Sequence, residues 1–414
     1  MIFYSKFKGK ETFDRIVVVL FLLYCIVNVF RHLIVQLVGG IGNIVVIYLF
    51  TLYFIFLYGK PIAERKARIH YVSLCLFLFI YILGMQFLYK NAQFYDTFGV
   101  AIETHVWNLI SFVPMTLCAI FIVKKTTVTM AIWLKRIFIC ILLITLIPSI
   151  VMLMGDASLA KQSATSSGEY IPFLVNYSTV YALSIISPYF LFSYSSEYKF
   201  FGYVMSAVVV ICICLSSFFI AIMATFLGLL VCLILRVKNK TLCHFLIFLS
   251  VTLLILFIYS DAAYNMLLRI SSNLPQGLIR TRVSQLALFL KTGETGDTTA
   301  RIDLYKGALD LVARHPVFGN IAINENFKLS GHSEFLDVWG GCGILSIICL
   351  LSFLSSVYYM NKSFYKSENS KSVLKASTLV FLFVSLSNPI FSSSTISVFW
   401  ILAPLIWETE KGCS

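Results

Sequence analysis

Apolar runs of about 20 residues follow one another along most of this 414-residue chain. A helix needs about that many mainly apolar residues to cross the hydrocarbon core of a bilayer. Hydrophobic residues make up 59% of the sequence and charged residues only 12%, whereas a soluble chain is about 25% charged. The sequence therefore predicts an all-α polytopic membrane protein with about 12 transmembrane helices. The predicted spans are 16–34, 41–58, 70–89, 107–123, 137–154, 171–194, 200–216, 217–235, 243–260, 336–359, 374–391 and 395–407.

One long polar segment, Asp261–Phe335, interrupts this pattern and holds eight of the 32 Lys and Arg residues. Connections between membrane helices can be short, so a loop of this size is the first place to look for function. We therefore divide the chain into three parts. Residues 1–260 carry helices 1–9, residues 261–335 form a large loop with short helices, and residues 336–414 carry helices 10–12.

The basic residues are distributed unevenly between the two sides of the membrane. With the N-terminus inside, the inner segments carry 21 Lys and Arg, the short outer loops carry three, and the long loop carries eight. Short cytoplasmic loops are enriched in Lys and Arg, whereas long loops translocate regardless of charge. This predicts that both termini are cytoplasmic and that the long loop is periplasmic. Because the charge of +13 lies in short clusters between spans, it gives no support to a nucleic-acid partner.

The sequence lacks the features of a coupled transporter and of a metal enzyme. No internal repeat is visible, and ionisable residues inside the spans are nearly absent, whereas transporters often have both. No Asp-x-Asp occurs on a loop and there is no H-E-x-x-H motif, so we expect no metal and no cofactor. A flippase or exporter of lipid-linked oligosaccharide stays open as an alternative.

The long loop is predicted to contain three helical stretches. Residues 262–290 read as two short amphipathic helices near the outer interface, broken by Pro275-Gln-Gly277. A third helix is expected over Arg301–His315, and Pro316-Val-Phe-Gly319 ends it. The expected apolar stripe of this third helix is Ile302, Tyr305, Leu309 and Val312.

Arginines of this loop are candidates for binding a lipid diphosphate. The planar guanidinium group donates two parallel hydrogen bonds to a phosphate and keeps its charge. Arg280, Arg282 and Arg301 are the candidates. The competing interpretation is that interfacial arginines bind phospholipid headgroups.

His332 precedes the predicted helix that starts at Leu336, and the positive end of that helix disfavours a protonated imidazole. A neutral imidazole beside a sugar could act as a general base on an acceptor hydroxyl. It could instead only cap the helix. Glu334 and Asp337 could orient His332 or bind sugar hydroxyls, or could be plain N-terminal helix charges. The glycine cluster Gly340-Gly-Cys-Gly343 is more typical of tight helix packing than of a phosphate cradle.

The motifs within 299–343 together resemble the C-terminal signature of the O-antigen ligase/polymerase superfamily. They are Thr299-Ala-Arg-Ile-Asp-Leu-Tyr305, Ala308-Leu-Asp-Leu311, His315-Pro-Val-Phe-Gly319, Gly331-His-Ser-Glu-Phe-Leu-Asp337 and Gly341-Cys-Gly343-Ile-Leu345. The resemblance implies metal-independent glycosyl transfer at the outer face of the inner membrane of a Gram-negative bacterium. The donor would be a glycan on undecaprenyl diphosphate. The acceptor would be a second lipid-linked repeat unit in a polymerase, or the lipid A core in a ligase.

The resemblance also assigns roles to single residues. Arg301 matches the arginine expected to hold the diphosphate, and His332 matches the histidine proposed as the base. The competing hypothesis from the residues themselves is that Glu334 or Asp337 is the base. Tyr305 and Asp337 are weaker candidates for sugar binding. Ligases typically carry an arginine where this chain has Phe218, which favours an O-antigen polymerase of the Wzy type.

Further expectations follow from the polymerase reading. Arg282 and Gly293 resemble an arginine motif of some polymerases. The partners expected are the undecaprenyl-diphosphate-linked glycan, membrane lipids, a chain-length regulator and a flippase. An O-antigen ligase and another lipid-linked glycan polymerase of the superfamily stay open as alternatives.

Overall fold

All regular elements described in the computed structural model are helical. The model describes residues 2–29, 45–46, 49–50, 52–53, 126–156, 159–162, 171, 173–192, 199–216, 218–237, 241–242, 245, 261–274, 280–281, 283–284, 287–288, 291, 296–322, 333–365, 367–388 and 397–403. The helices are α1 (Ile2–Val29), α2 (Val128–Gly155), α3 (Leu159–Gln162), α4 (Tyr177–Phe192), α5 (Lys199–Leu215), α6 (Phe219–Leu235), α7 (Asp261–Asn273), α8 (Gly296–Arg314), α9 (Glu334–Phe364) and α10 (Glu368–Ser387). A 3-10 turn covers Gly319–Ala322 and a π-helical turn covers Ser397–Leu402.

Several of these helices have the length and composition of membrane spans. Within the described residues, Thr129–Gly155, Glu334–Tyr359 and Glu368–Ser387 are long and apolar enough to cross a membrane. Helices α4, α5 and α6 are also apolar, with 16 or 17 residues each. The predicted all-α membrane protein is thus confirmed in its helical class. The count of 12 spans stays a prediction, because several predicted spans lie largely outside the described residues.

The long apolar run 200–235 divides into two helices where the sequence predicted a turn. Helix α5 ends at Leu215, and α6 begins at Phe219 with Phe218 as its N-terminal cap. The Ser216 hydroxyl donates to the carbonyl of Ile213 at 2.7 Å, a local side-chain bond that competes with continuation of the helix.

The helix α4 forms the centre of the bundle. Its residues from Thr179 to Phe190 are all buried, and it contacts α1, α5, α6, α10 and the π-helical turn. Two neighbours of α4, the helices α6 and α10, approach each other closely because α6 has a glycine at the contact. A Cβ atom on Gly228 of α6 would overlap the Val380 side chain of α10. Outward-facing residues such as Met154 (73% exposed) are apolar, as expected of helices in contact with lipid.

Contacts between the ends of helices define two opposite ends of the bundle. At one end, the Tyr177 hydroxyl at the start of α4 donates to Asn388 Oδ1 at the end of α10, over 2.6 Å. Phe218, before α6, packs on Tyr177 at the same end. We call this end, defined by Tyr177, Phe218 and Asn388, the loop end.

The opposite end is defined by Tyr189, Phe192, Arg236 and Tyr365. Here the hydroxyls of Tyr189 and Tyr365 share a hydrogen bond of 2.9 Å, and the Arg236 guanidinium lies over the ring of Phe192. The helices α9 and α10 are joined at this end by Tyr365–Ser367, so the start of α9 and the end of α10 both lie at the loop end. That the loop end faces the periplasm stays a prediction.

Candidate functional site

The first part of the long loop contains the predicted amphipathic helix. Helix α7 covers Asp261–Asn273, and residues 280–281, 283–284, 287–288 and 291 are also helical. The Ser271 hydroxyl is hydrogen-bonded to the Ser284 hydroxyl and donates to the carbonyl of Arg280 at 3.3 Å. The Lys291 ammonium lies 4.4 Å from the ring centre of Tyr264. These contacts hold the stretch that follows Pro275 against α7, and Arg280 is part of it. Arg282 lies outside the described residues.

The third loop helix, α8, packs onto the membrane helix α9. It begins at Gly296, five residues before the predicted start, and ends before the Pro316 turn as predicted. Ala308, Leu311 and Val312 are buried, whereas Leu309 is 51% exposed. The predicted stripe is therefore wrong at Leu309. The buried face of α8 is therefore rotated by about one residue from the predicted stripe, with Ala308 buried in place of Leu309.

Tyr305 connects α8 to the loop end of the bundle. Its hydroxyl donates to the carbonyl of Ser387, the last residue of α10, at 3.3 Å. Arg301 lies on α8 one turn before Tyr305, since residues four apart in a helix are neighbours on its surface. Arg301 therefore lies on the same helix that contacts the loop end through Tyr305.

The turn after α8 occupies a break in α9. Helix α9 contains one residue with non-helical backbone angles, Gly343 (φ 79°, ψ 179°). The amide of Ile344 donates to the carbonyl of Pro316 at 2.9 Å, in place of a bond within its own helix. The indole nitrogen of Trp339 donates to the same carbonyl at 3.2 Å. The loop is therefore held to the membrane helix by backbone contacts.

Gly319 and Gly343 lie where the turn contacts α9. Both have positive φ angles, and neither position has room for a Cβ atom. A Cβ on Gly319 (φ 60°) would lie 2.6 Å from the amide nitrogen of Gly343 and 2.7 Å from the carbonyl oxygen of Gly340. A Cβ on Gly343 would overlap the carbonyl oxygen of Val317. The glycine cluster is thus a packing feature, as the sequence indicated. Among the described residues, the partner of Gly343 is the Pro316–Gly319 turn.

The start of α9 places two carboxylates in buried positions. Ser333 caps the helix by accepting a 3.3 Å bond from the Leu336 amide, so α9 begins at Glu334, two residues before the predicted start. Glu334 is 1% exposed and Asp337 is 7% exposed. The two are three residues apart and share one face of the helix. Negative charge is favourable at a helix N-terminus, where the backbone amides point outward.

The predicted base, His332, lies outside the described residues and directly precedes the capping Ser333. The side chain of Arg301 is likewise outside the described part of the chain. Of the candidates from the sequence, the structure brings Tyr305, Glu334 and Asp337 to the loop end, on α8 and α9. Within the described ranges, no group of three His, Cys, Asp or Glu residues is placed to hold a metal ion.

The sequence did not identify Tyr177 and Asn388 as residues of the loop end. Their side chains form the hydrogen bond between α4 and α10, and the ring of Tyr177 meets Phe218 edge to face with centroids 5.3 Å apart. Phe218 is thus in an aromatic cluster at the loop end. The signal available in the sequence was the placement of Asn388 before Pro389 at the end of an apolar run.

Comparison with protein-family models gives a match that covers the long loop. Residues 202–351 match a protein-family model described as O-antigen ligase. The matched segment runs from α5 through the long loop to the first half of α9, and it includes the contact between Gly319 and Gly343. None of the curated proteins compared with the chain matches it. The family match over residues 202–351 confirms the resemblance to the O-antigen ligase/polymerase superfamily that the motifs carry.

Proposed function

We propose that the protein is an O-antigen polymerase of the Wzy type, which joins undecaprenyl-diphosphate-linked repeat units at the periplasmic face of the inner membrane. The observation that carries the proposal is the coincidence of the family match with the loop end of the bundle. Within the matched segment, α8 docks on α9, and the first turn of α9 holds two buried carboxylates, Glu334 and Asp337. A loop anchored in this way can hold a lipid-linked substrate against fixed side chains.

The proposed reaction transfers the growing glycan from its lipid carrier to a sugar hydroxyl of the next repeat unit. The hydroxyl oxygen forms a bond to the anomeric carbon of the donor sugar, and the bond between that carbon and the phosphate oxygen breaks. The hydroxyl proton passes to a protein base, and undecaprenyl diphosphate leaves with the electron pair. The protein must therefore stabilise the charge of the leaving group and remove one proton.

The loop arginines meet the first of these needs in our proposal. Arg301 on α8 binds the diphosphate. Arg280, in the stretch beside α7, and Arg282 stabilise the same charge. Backbone contacts between α9 and the Pro316–Gly319 turn after α8 support the role of Arg301, because fixed donors stabilise developing charge without reorganising. The hydrogen bond from Tyr305 to Ser387 ties the same helix to α10.

His332 meets the second need as the base, with Glu334 as the alternative. The position of His332, one residue before the cap of α9, supports this role because the helix N-terminus favours the neutral imidazole. The burial of Glu334 and Asp337 next to it supports a role in orienting the imidazole or in binding sugar hydroxyls. Tyr305 is assigned to the sugar as well.

The choice of polymerase over ligase rests on Phe218. In the superfamily, ligases typically have an arginine at this position. Here the position holds an aromatic ring packed against Tyr177 and Tyr181, with centroid distances of 5.3 and 6.3 Å. An aromatic cluster can contact the face of a sugar ring but offers no positive charge to a phosphate, unlike the arginine of a ligase. Under this proposal the protein works with a flippase that supplies repeat units and with a chain-length regulator.

The lipopolysaccharide of a deletion strain tests the proposal. A polymerase deletion leaves the lipid A core with a single repeat unit. A ligase deletion leaves a core without any, and a flippase deletion leaves repeat units on the cytoplasmic side. Either of the last two results would replace the polymerase with the corresponding alternative.

A further inference from the structure

An asparagine at the end of α10 carries a hydrogen-bond donor to which the described part of the chain gives no acceptor. Asn388 is 2% exposed, and its Nδ2 atom is buried without a hydrogen-bond partner among the described residues. Leaving a buried amide donor without an acceptor costs free energy, so most such groups in folded proteins are satisfied. Nδ2 is therefore suited to donate to a bound molecule.

The amide of Asn388 is held in one orientation. The Tyr177 hydroxyl donates to Oδ1 at 2.6 Å, so this oxygen is held and, within the described part of the chain, Nδ2 is left as the free end of the amide. The backbone amide of Asn388 donates to the carbonyl of Val384 at 2.8 Å, which fixes the main chain at the end of α10. With both the backbone and Oδ1 held, the direction of Nδ2 is set before any ligand binds.

Among the described residues, the side chains hydrogen-bonded to this end of α10 include those of the uncharged aromatic residues Tyr177 and Tyr305. Tyr177 packs against Phe218, and Tyr305 of the loop helix donates to the carbonyl of Ser387, the neighbour of Asn388. The helices α4, α6, α8 and α10 thus supply the groups around it. A neutral donor among aromatic rings suits an uncharged oxygen, whereas a diphosphate is better matched by arginine.

We propose that Asn388 Nδ2 donates a hydrogen bond to an uncharged oxygen of the bound glycan, either a sugar hydroxyl or an acetamido carbonyl. Tyr177 is the positioning residue, because its hydroxyl orients the amide. This inference rests on the proposed function, since the glycan is the lipid-linked repeat unit of that reaction. It adds a sugar-binding position that is distant in sequence from the loop.

Kinetics of the purified protein with lipid-linked repeat units test the proposal. Loss of one ligand hydrogen bond corresponds to about a tenfold rise in KM. We expect this rise for Asn388→Ala and for Asn388→Asp, which keeps the size of the side chain but removes the donor. The turnover number should change far less. Asn361→Ala is the matched control, because Asn361 is also fully buried with an amide lacking partners among the described residues, but lies near the opposite end of α9.

A double-mutant cycle tests the role of Tyr177. Tyr177→Phe should raise KM in the same direction as Asn388→Ala but by a smaller factor. In the Asn388→Ala background it should have no further effect on KM, because the amide that it orients is gone. A purely structural role would instead lower the unfolding temperature of both variants and leave KM unchanged.

The outcomes separate this inference from the proposed function. If the wild-type protein joins repeat units and both Asn388 variants keep the wild-type KM, the inference is wrong and the polymerase stands. If inhibition by undecaprenyl diphosphate without a glycan weakens as much as repeat-unit binding does, the contact is to the diphosphate and the assignment to the glycan is wrong. If the wild-type protein neither binds nor joins repeat units, the polymerase proposal fails and the inference fails with it.

Discussion

Replacing Gly343 by alanine should weaken the attachment of the loop to α9. The backbone of Gly343 has φ 79° and ψ 179°, a region that is essentially restricted to glycine. Its new methyl group would also overlap the carbonyl oxygen of Val317. The overlapping atom belongs to the backbone of the turn, so no side-chain rotation can relieve the contact.

The magnitude follows from two terms. A side chain in a glycine-only region costs about 1–3 kcal/mol. Moving the turn away would lengthen the bond between the Ile344 amide and the Pro316 carbonyl, now 2.9 Å, and a typical hydrogen bond contributes about 1 kcal/mol. We expect Gly343→Ala to lower the free energy of unfolding by about 2–4 kcal/mol.

Gly307→Ala is the matched control for this change. Gly307 lies inside α8, and nothing lies within 4 Å of the position where its Cβ would be. Alanine in a helix interior is more favourable than glycine by about 0.5–1 kcal/mol, so this variant should be neutral or slightly more stable. Both variants add one methyl group to the same part of the protein.

Denaturant and thermal unfolding in one detergent would measure both variants, and complementation of a deletion strain would report polymer length. Gly343→Ala should unfold earlier and shorten or abolish the polymer, whereas Gly307→Ala should match the wild type. If Gly343→Ala is as stable and as active as Gly307→Ala, the backbone contact between the turn and α9 does not hold the loop, and the reasoning is refuted.

Two further predictions concern the arginine and the topology. Arg301→Ala should abolish polymer formation while Arg301→Lys keeps part of it, because lysine retains the charge but loses the paired hydrogen bonds; full-length polymer from well-expressed Arg301→Ala would disprove the diphosphate role. Phosphatase fusions should be active after Gly296 and β-galactosidase fusions after Lys371, as expected for a periplasmic loop and a cytoplasmic α9–α10 connection. Strong galactosidase activity at Gly296 would reverse the topology.

Local signals in the sequence predicted much of the loop and of the helix boundaries. The predicted spans 200–216 and 217–235 divided a long apolar run close to the end of α5 at Leu215, and the proline of the Pro316–Gly319 turn predicted the end of α8. Ser333 followed by Glu334 has the pattern of a capped helix start. The sequence nevertheless predicted that α9 starts at Leu336, because a span defined by apolar residues leaves out the polar residues of the first turn.

Contacts between distant residues could not be read from the sequence. The hydrogen bond between Tyr177 and Asn388 joins residues 211 positions apart, and periodicity carries no information on such pairs. The buried face of α8 was misassigned at Leu309 because hydrophobicity favoured the larger side chain over Ala308. The break in α9 depends on the Pro316–Gly319 turn, which the glycine cluster alone does not identify.

The most direct test of the central claim is an assay of the purified protein with lipid-linked repeat units as the sole glycan, in detergent and without lipid A core. We predict a ladder of products that grow by one repeat unit, and a His332→Ala protein that stays folded and binds the donor but turns over about 100- to 10,000-fold more slowly. A His332→Gln protein with near-normal rates, beside an inactive Glu334→Gln protein, would move the base to the carboxylate. A wild-type protein that leaves repeat units unjoined and transfers glycan only when lipid A core is added would contradict the polymerase and identify a ligase.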